Sequence, residues 1–205
     1  MAHLAAADPV MARLVQERGP MQLRPTTDYF FTLVESIASQ QLSSKVADTI
    51  VRRIRALVPG KAAPDTGDIW ALPDQALRDA GLSWSKTRYI KDLAEHVLSD
   101  RLPLDHISQM EDEEVIEALT EVKGIGRWTA EMFLIFSLAR PDVLAVDDYG
   151  LRVAMKELYA LPELPKPPAM RQVAEAWSPY RSYASLYLWR SRDNSPKVEA
   201  LEQQT

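Results

Sequence analysis

A chain of 205 residues, 46% of them apolar, can bury a sizeable core in one domain or in two small lobes. It contains no cysteine, which excludes disulfides, thiolate zinc sites and an iron–sulfur cluster, and no apolar run approaches a membrane span. The net charge of -5, taken alone, argues against a nucleic-acid partner, which usually leaves a basic footprint. The charge is uneven, however. Lys45, Arg52, Arg53, Arg55 and Lys61 share the stretch from Ser43 to Lys61 with one acid, Asp48. Arg181, Arg190, Arg192 and Lys197 gather near the C-terminus, and Glu111 to Glu121 is acidic. By charge alone, ordinary solvated helix faces are the better reading. Met1 to Pro9 has neither the basic start nor the apolar stretch of a signal peptide, so a cytoplasmic location is expected.

The pattern is helical nearly throughout, and an all-α fold is expected. A short helix spans about Pro9 to Arg18 and stops at Gly19-Pro20. Thr26, Thr27 and Asp28 are N-cap candidates for a helix carrying Phe30, Phe31, Val34 and Ile37 at helical spacing. The polar break from Ser39 to Ser44 precedes a helix with Val46, Ile50, Ile54 and Leu57 on one face. Lys61 to Gly67 reads as a loop. Pro73 opens a short helix ending near Gly81, and a longer one runs from about Ser85 to Leu98. His96 and His106 read as surface residues whose spacing matches no metal site.

A helix from Glu111 to Thr120 carries its acids in the first turn, where the helix dipole favours them. Arg127 to Leu138 is apolar almost all round, as a central buried helix would be. Asp142 to Asp148 is extended, and Tyr149 to Tyr159 is helical. The proline-rich stretch from Leu161 to Pro168 leads to a helix ending near Trp177. Ser178-Pro179 reads as an N-cap followed by proline at the first helical position, opening a last helix to about Arg192. The tail after Asn194 is expected to fray.

Between two of these helices stands Val122-Lys123-Gly124-Ile125-Gly126-Arg127. Two glycines around one apolar residue permit a tight reversal and a close backbone approach. The amides of Ile125, Gly126 and Arg127 would be unpaired donors at a helix N-terminus, which suits a phosphate. Taken alone, the motif is better explained by a plain tight turn. Downstream, Asp148 closes a mostly apolar stretch at a helix start. An N-cap is the ordinary role for such an aspartate. The same carboxylate, kept ionised by the helix dipole, suits the stabilisation of a developing oxocarbenium ion.

Val122 to Ala130, followed by Asp147-Asp148-Tyr149, resembles the helix-hairpin-helix (HhH-GPD) DNA glycosylase superfamily, and within it the 3-methyladenine DNA glycosylase II type. Supporting stretches are Ser39-Gln40-Gln41-Leu42-Ser43, Gly81 to Lys86, and Trp177 to Ala184, so the resemblance runs from about Thr27 to Arg190. It implies a single glycosylase domain over 1–205 of two helical lobes, with the hairpin at about 119–130, the active-site cleft between lobes and no additional N-terminal β domain. The implied partner is double-stranded DNA with a damaged base, flipped out before chemistry by a protein expected to be monomeric and away from membranes, in the cytoplasm or, in a bacterium, at the nucleoid.

The resemblance makes Asp148 the catalytic aspartate. It makes Lys123, Gly124, Ile125, Gly126 and Arg127 the DNA-binding hairpin, with a structural Na+ or K+ on the carbonyls of Thr120, Val122 and Ile125. No cofactor is required for the chemistry. Gln40, Gln41 and Leu42 become the loop filling the gap left by the flipped base, with Leu42 as wedge; a core role for Leu42 is the alternative. Trp128 and Trp189 would line the base pocket, although a helical tryptophan is more often core. Met132 replaces an aromatic residue of some relatives, which bears on lesion range. Lyase-competent relatives such as endonuclease III carry a lysine two residues after the second hairpin glycine. Trp128 stands there, implying an enzyme without lyase activity. Two other readings stay open: a glycosylase for deaminated or mismatched bases, and a non-catalytic DNA-binding hairpin protein.

Overall fold

Helical periodicity organises all of the described chain, residues 1–192 of this computed structural model, and no strand occurs among them. The helices are α1 (Ala2–Ala7), α2 (Pro9–Arg18), α3 (Tyr29–Ser39), α4 (Ser44–Arg55), α5 (Thr66–Ala71), α6 (Asp74–Asp79), α7 (Trp84–Leu98), α8 (Asp112–Thr120), α9 (Arg127–Phe136), α10 (Tyr149–Leu158), α11 (Pro167–Ala174) and α12 (Arg181–Ser191). Short 3-10 turns occupy Ile107–Gln109 and Glu175–Trp177. The expected all-α class is observed. The frayed tail and Lys197 lie outside the described residues. None of the helices among the described residues is long and apolar enough to cross a membrane.

The chain forms two compact units. One is the continuous segment Pro25–Leu138; the other combines Met1–Arg24 with the chain from Ala139 onward. In the continuous unit, Asp28 wins the N-cap of α3 by accepting the Phe31 amide at 2.9 Å. The unit's two ends are tied where the Thr26 amide donates to the Ser137 carbonyl at 3.0 Å. Its core is built from Phe31, Leu33 and Ile37 of α3, Ile54 of α4, Ile90 and Leu93 of α7, and Leu134 and Ile135 of α9. In the other unit, α1 and α2 join α10, α11 and α12, burying Leu4, Met11, Leu151, Met170, Trp177 and Leu188. Asp8 staples this unit. Its carboxylate caps α2 through the Val10 and Met11 amides and accepts the Tyr159 hydroxyl at 2.6 Å and the Trp177 indole N–H at 2.9 Å.

Five sequence expectations change. Helix α1 precedes Asp8, where no helix was expected. Helix α5 begins inside the expected loop, because Asp65 and Asp68 form a reciprocal capping box that outweighs the neighbouring Pro64 and Gly67. The buried face of α4 is Ala47, Ile50 and Ile54; Val46 lies outside it and is 45% exposed. Ser178 does not cap α12. Its hydroxyl donates to Asp142 and a turn closes from the Tyr180 amide to the Trp177 carbonyl, so the helix starts at Arg181. His96 is buried, with Nδ1 2.8 Å from the Asp92 carbonyl oxygen and Nε2 3.0 Å from the Arg101 guanidinium.

Candidate active site

Asp148 occupies the N-cap of α10 and is 8% exposed. Its Oδ1 accepts the Leu151 amide at 2.6 Å and the Trp189 indole N–H at 3.0 Å. The ordinary N-cap role is observed, and the indole N–H adds a second donor that helps fix the carboxylate's rotamer. Trp189, on α12, is 2% exposed. The structure shows it as a core residue that aims its polar edge at Asp148. Gly150 allows that approach, since an added Cβ would lie 3.1 Å from Asp148 Oδ1 and 3.5 Å from the Trp189 ring. Tyr149, beside Asp148, is 68% exposed.

In the continuous unit, the reversal between α8 and α9 is closed by the Ile125 amide donating to the Val122 carbonyl at 3.1 Å. This corrects the sequence reading of three unpaired amides: the Ile125 N–H is used inside the turn. Gly124 has φ +86°, and an added Cβ would come within 2.3 Å of the Tyr89 ring of α7, so only glycine fits. Gly126 caps α9, and an added Cβ there would meet no atom within 4 Å. The first glycine thus serves the fold, and the second keeps open space in front of a helix N-terminus.

The hairpin's cations are already paired. Asp92 of α7 accepts both the Lys123 amide and the Lys123 ammonium at 2.9 Å. Burial pushes the Asp92 carboxyl up, but Lys123 and the nearby His96 outweigh it and hold it below its ordinary value. Arg127 forms a fork on Glu113 at 2.5 and 3.0 Å and reaches Glu131 at 3.2 Å; Glu113 raises the guanidinium pKa further. Both cationic side chains of the hairpin are thus engaged by carboxylates.

The loop after α3 presents the third group. Gln40 donates its side-chain N–H to the Gly124 carbonyl at 2.8 Å, tying loop to hairpin across 84 residues of sequence. Gln41 sits in the left-handed region at φ 58°, a strain of about 1 kcal/mol for a non-glycine residue. Leu42 is 38% exposed, which removes the core alternative for it. Trp128, at 42% exposure, is likewise not core, and Met132 of the same helix is half-buried. Lys86 of α7, to which the sequence assigns no role, donates to the Ala38 and Gln40 carbonyls at 2.8 and 2.6 Å.

Comparison with known proteins decides the family. A model of the HhH-GPD superfamily of base excision DNA repair proteins matches residues 34–179. The chain belongs to the HhH-GPD superfamily. It is 35% identical over 193 residues to DNA-3-methyladenine glycosylase 1 of Schizosaccharomyces pombe, covering 92% of this chain and 85% of that protein. Its fold superposes on the Schizosaccharomyces pombe 3-methyladenine DNA glycosylase in complex with abasic DNA with a TM-score of 0.82 at 34% identity, covering 94% of this chain and 95% of that one. A DNA-3-methyladenine glycosidase from Bacillus halodurans gives a TM-score of 0.84 at 40% identity, with 98% and 90% covered.

Within this HhH-GPD chain the hairpin also suits the cation that the resemblance implies. The Val122 carbonyl takes one amide, and no backbone amide among the described residues donates to the Thr120 or Ile125 carbonyl. Three main-chain oxygens of one short turn form a hard-donor set of the kind Na+ or K+ prefers.

Proposed function

We propose that this HhH-GPD protein is a monofunctional DNA glycosylase that extrudes alkylated purines from duplex DNA and hydrolyses their N-glycosidic bond, the first step of base excision repair. The observation that carries the reading is Asp148, a nearly buried carboxylate fixed by the Leu151 amide and the Trp189 indole in a chain of this family. Duplex DNA hides the glycosidic bond, so extrusion precedes chemistry. As the bond lengthens, positive charge develops on the sugar, and the fixed anion stabilises it and orients the attacking water. A purine alkylated at N3 or N7 is already cationic and leaves as a neutral base without a protonating acid. One carboxylate therefore suffices, and 3-methyladenine and 7-methylguanine are the expected products.

Trp128, 42% exposed, would offer its ring to such a base, a contact worth about 0.5–2 kcal/mol for a cation. Met132, half-buried one helical turn on, completes this wall. Trp189 contributes by holding Asp148. The main-chain N–H groups at Gly126 and Arg127 meet a phosphate, and Leu42 fills the gap left by the extruded base. A monovalent cation on the carbonyls of Thr120, Val122 and Ile125 would add positive charge beside that phosphate; the chemistry itself needs no cofactor. With Trp128 at the lyase-lysine position, the reaction stops at the abasic site.

The deciding experiment is base release from methylated duplex DNA by wild type and Asp148→Asn. Release of methylated purines should fall by at least about a hundredfold in the variant, with binding to an abasic duplex kept within a few-fold. Borohydride present during turnover should trap no covalent adduct. Release of uracil or thymine with none of the methylated purines would overturn the substrate class, and an efficient adduct would overturn the monofunctional reading.

A further inference from the structure

Helix α7 carries two half-buried lysines whose ammonium groups donate to main-chain carbonyls. Lys91 caps the end of α5, donating to the carbonyls of Ile69 at 2.8 Å, Trp70 at 2.7 Å and Leu72. Lys86 does the same at the end of α3, on the carbonyls of Ala38 and Gln40. Burial lowers the pKa of both ammonium groups. A charge is drawn into such a place only when its hydrogen bonds repay the lost hydration. For Lys91 the repayment is a helix end. For Lys86 it is the base of the Leu42 loop.

The two ends of that loop are held differently from its tip. Lys86 fixes its root, and Gln40 fixes its flank to the Gly124 carbonyl. Gln41 then turns through the left-handed region, and the Leu42 amide closes onto the Ser39 carbonyl at 3.2 Å. Leu42 and Val46 emerge as exposed apolar side chains directly after this braced turn. The Gly124 carbonyl that receives Gln40 belongs to the residue lodged against Tyr89 of α7, so loop, hairpin and helix share one set of supports.

We propose that Lys86 is a positioning residue for base extrusion: together with the Gln40 amide it fixes the Ala38–Leu42 loop in register with the hairpin, so that Leu42 enters the base stack as the hairpin takes its phosphate. This rests on the reading of Leu42 as the group that fills the extrusion gap. Without the brace, the left-handed turn at Gln41 relaxes and Leu42 loses its aim, while the fold and the hairpin remain.

The test uses a duplex with a tetrahydrofuran abasic-site analogue and 2-aminopurine as the neighbouring base, whose fluorescence rises when it is unstacked. It needs no glycosidic chemistry. At saturating wild-type protein the signal should rise severalfold, and Leu42→Ala should lose most of that rise. Lys86→Met should lose at least about half, Lys86→Arg should restore it, and Lys91→Met, which removes a matching helix-end brace elsewhere on α7, should keep the full rise. If Lys86→Met does not melt cooperatively, Gln40→Leu reads the same brace and should show the same loss. A wild-type rise in Lys86→Met, or an equal loss in Lys91→Met, overturns the proposal, as does a wild-type protein that gives no rise. Failure of wild type to release methylated purines counts against the alkylpurine reading and leaves this readout in force.

Discussion

At Asp148 a carboxylate accepts an indole N–H and a main-chain amide, whereas at the hairpin Lys123 and Arg127 donate to carboxylates. Neutral donors orient a charge without cancelling it, which a site acting through its anion requires. Ion pairs cancel the hairpin cations locally, so what the hairpin offers outward is main-chain N–H at a helix N-terminus. A net charge of -5 and a DNA partner are then compatible: under the proposed reading, the grip at this point would depend on peptide dipoles more than on a basic surface. The same contrast separates the two hairpin glycines, one filled against Tyr89 and one facing open space.

Four experiments press on this comparison. Trp189→Phe keeps the ring and removes the donor to Asp148. A hydrogen bond to a charged group is worth about 1.5–3 kcal/mol, so single-turnover base release should fall about ten- to a hundredfold with abasic-DNA affinity little changed. An unchanged rate would mean that the indole N–H is not needed to orient the carboxylate. Gly124→Ala should lower stability by about 2 kcal/mol, through the left-handed backbone and the Tyr89 ring. Gly126→Ala should cost less than about 1 kcal/mol in urea melts, yet weaken binding to damaged and undamaged duplexes alike. If both variants destabilise equally, the division of labour between the glycines is wrong.

The third experiment is a pH series. The folded-state pKa of Asp92 lies below its ordinary value of 3.8, so the stability it contributes is fully present above that value and is lost as pH falls below it. Urea melts of wild type and Asp92→Asn should differ at pH 6 and converge toward pH 3. A gap that persists at low pH would assign the effect to packing. The smallest effect belongs to Lys123→Gln. Because Asp92 already neutralises Lys123, DNA affinity at moderate salt should change less than about threefold and the salt slope should shift by well under one ion.

The fold class and the helix series were legible because apolar residues recur at helical spacing. Family membership was legible because Val122 to Ala130 and Asp147 to Tyr149 stand together. What escaped the sequence lies in contacts between distant residues. Lys86 and Asp92 are unremarkable charges on a helix until folding places carbonyls and a hairpin beside them, 46 and 31 residues away. Trp128 and Trp189 look alike in sequence, yet one is exposed and the other buried with its N–H on Asp148. The helix α5 was missed because proline and glycine near Asp65 mask a capping box made of two aspartates where glutamate is usual at the third position.

The division of the chain has a consequence for the order of assembly. Pro25–Leu138 is contiguous and can collapse as soon as it leaves the ribosome. The unit holding Asp148 joins segments from either side of that stretch: Asp8 must find Tyr159 and Trp177, and Asp148 must await Trp189, 41 residues further on. The hairpin is therefore completed on a growing chain before the carboxylate is set. Release of a nascent chain before Trp189 would yield a product with its hairpin turn formed and Asp148 without its indole donor.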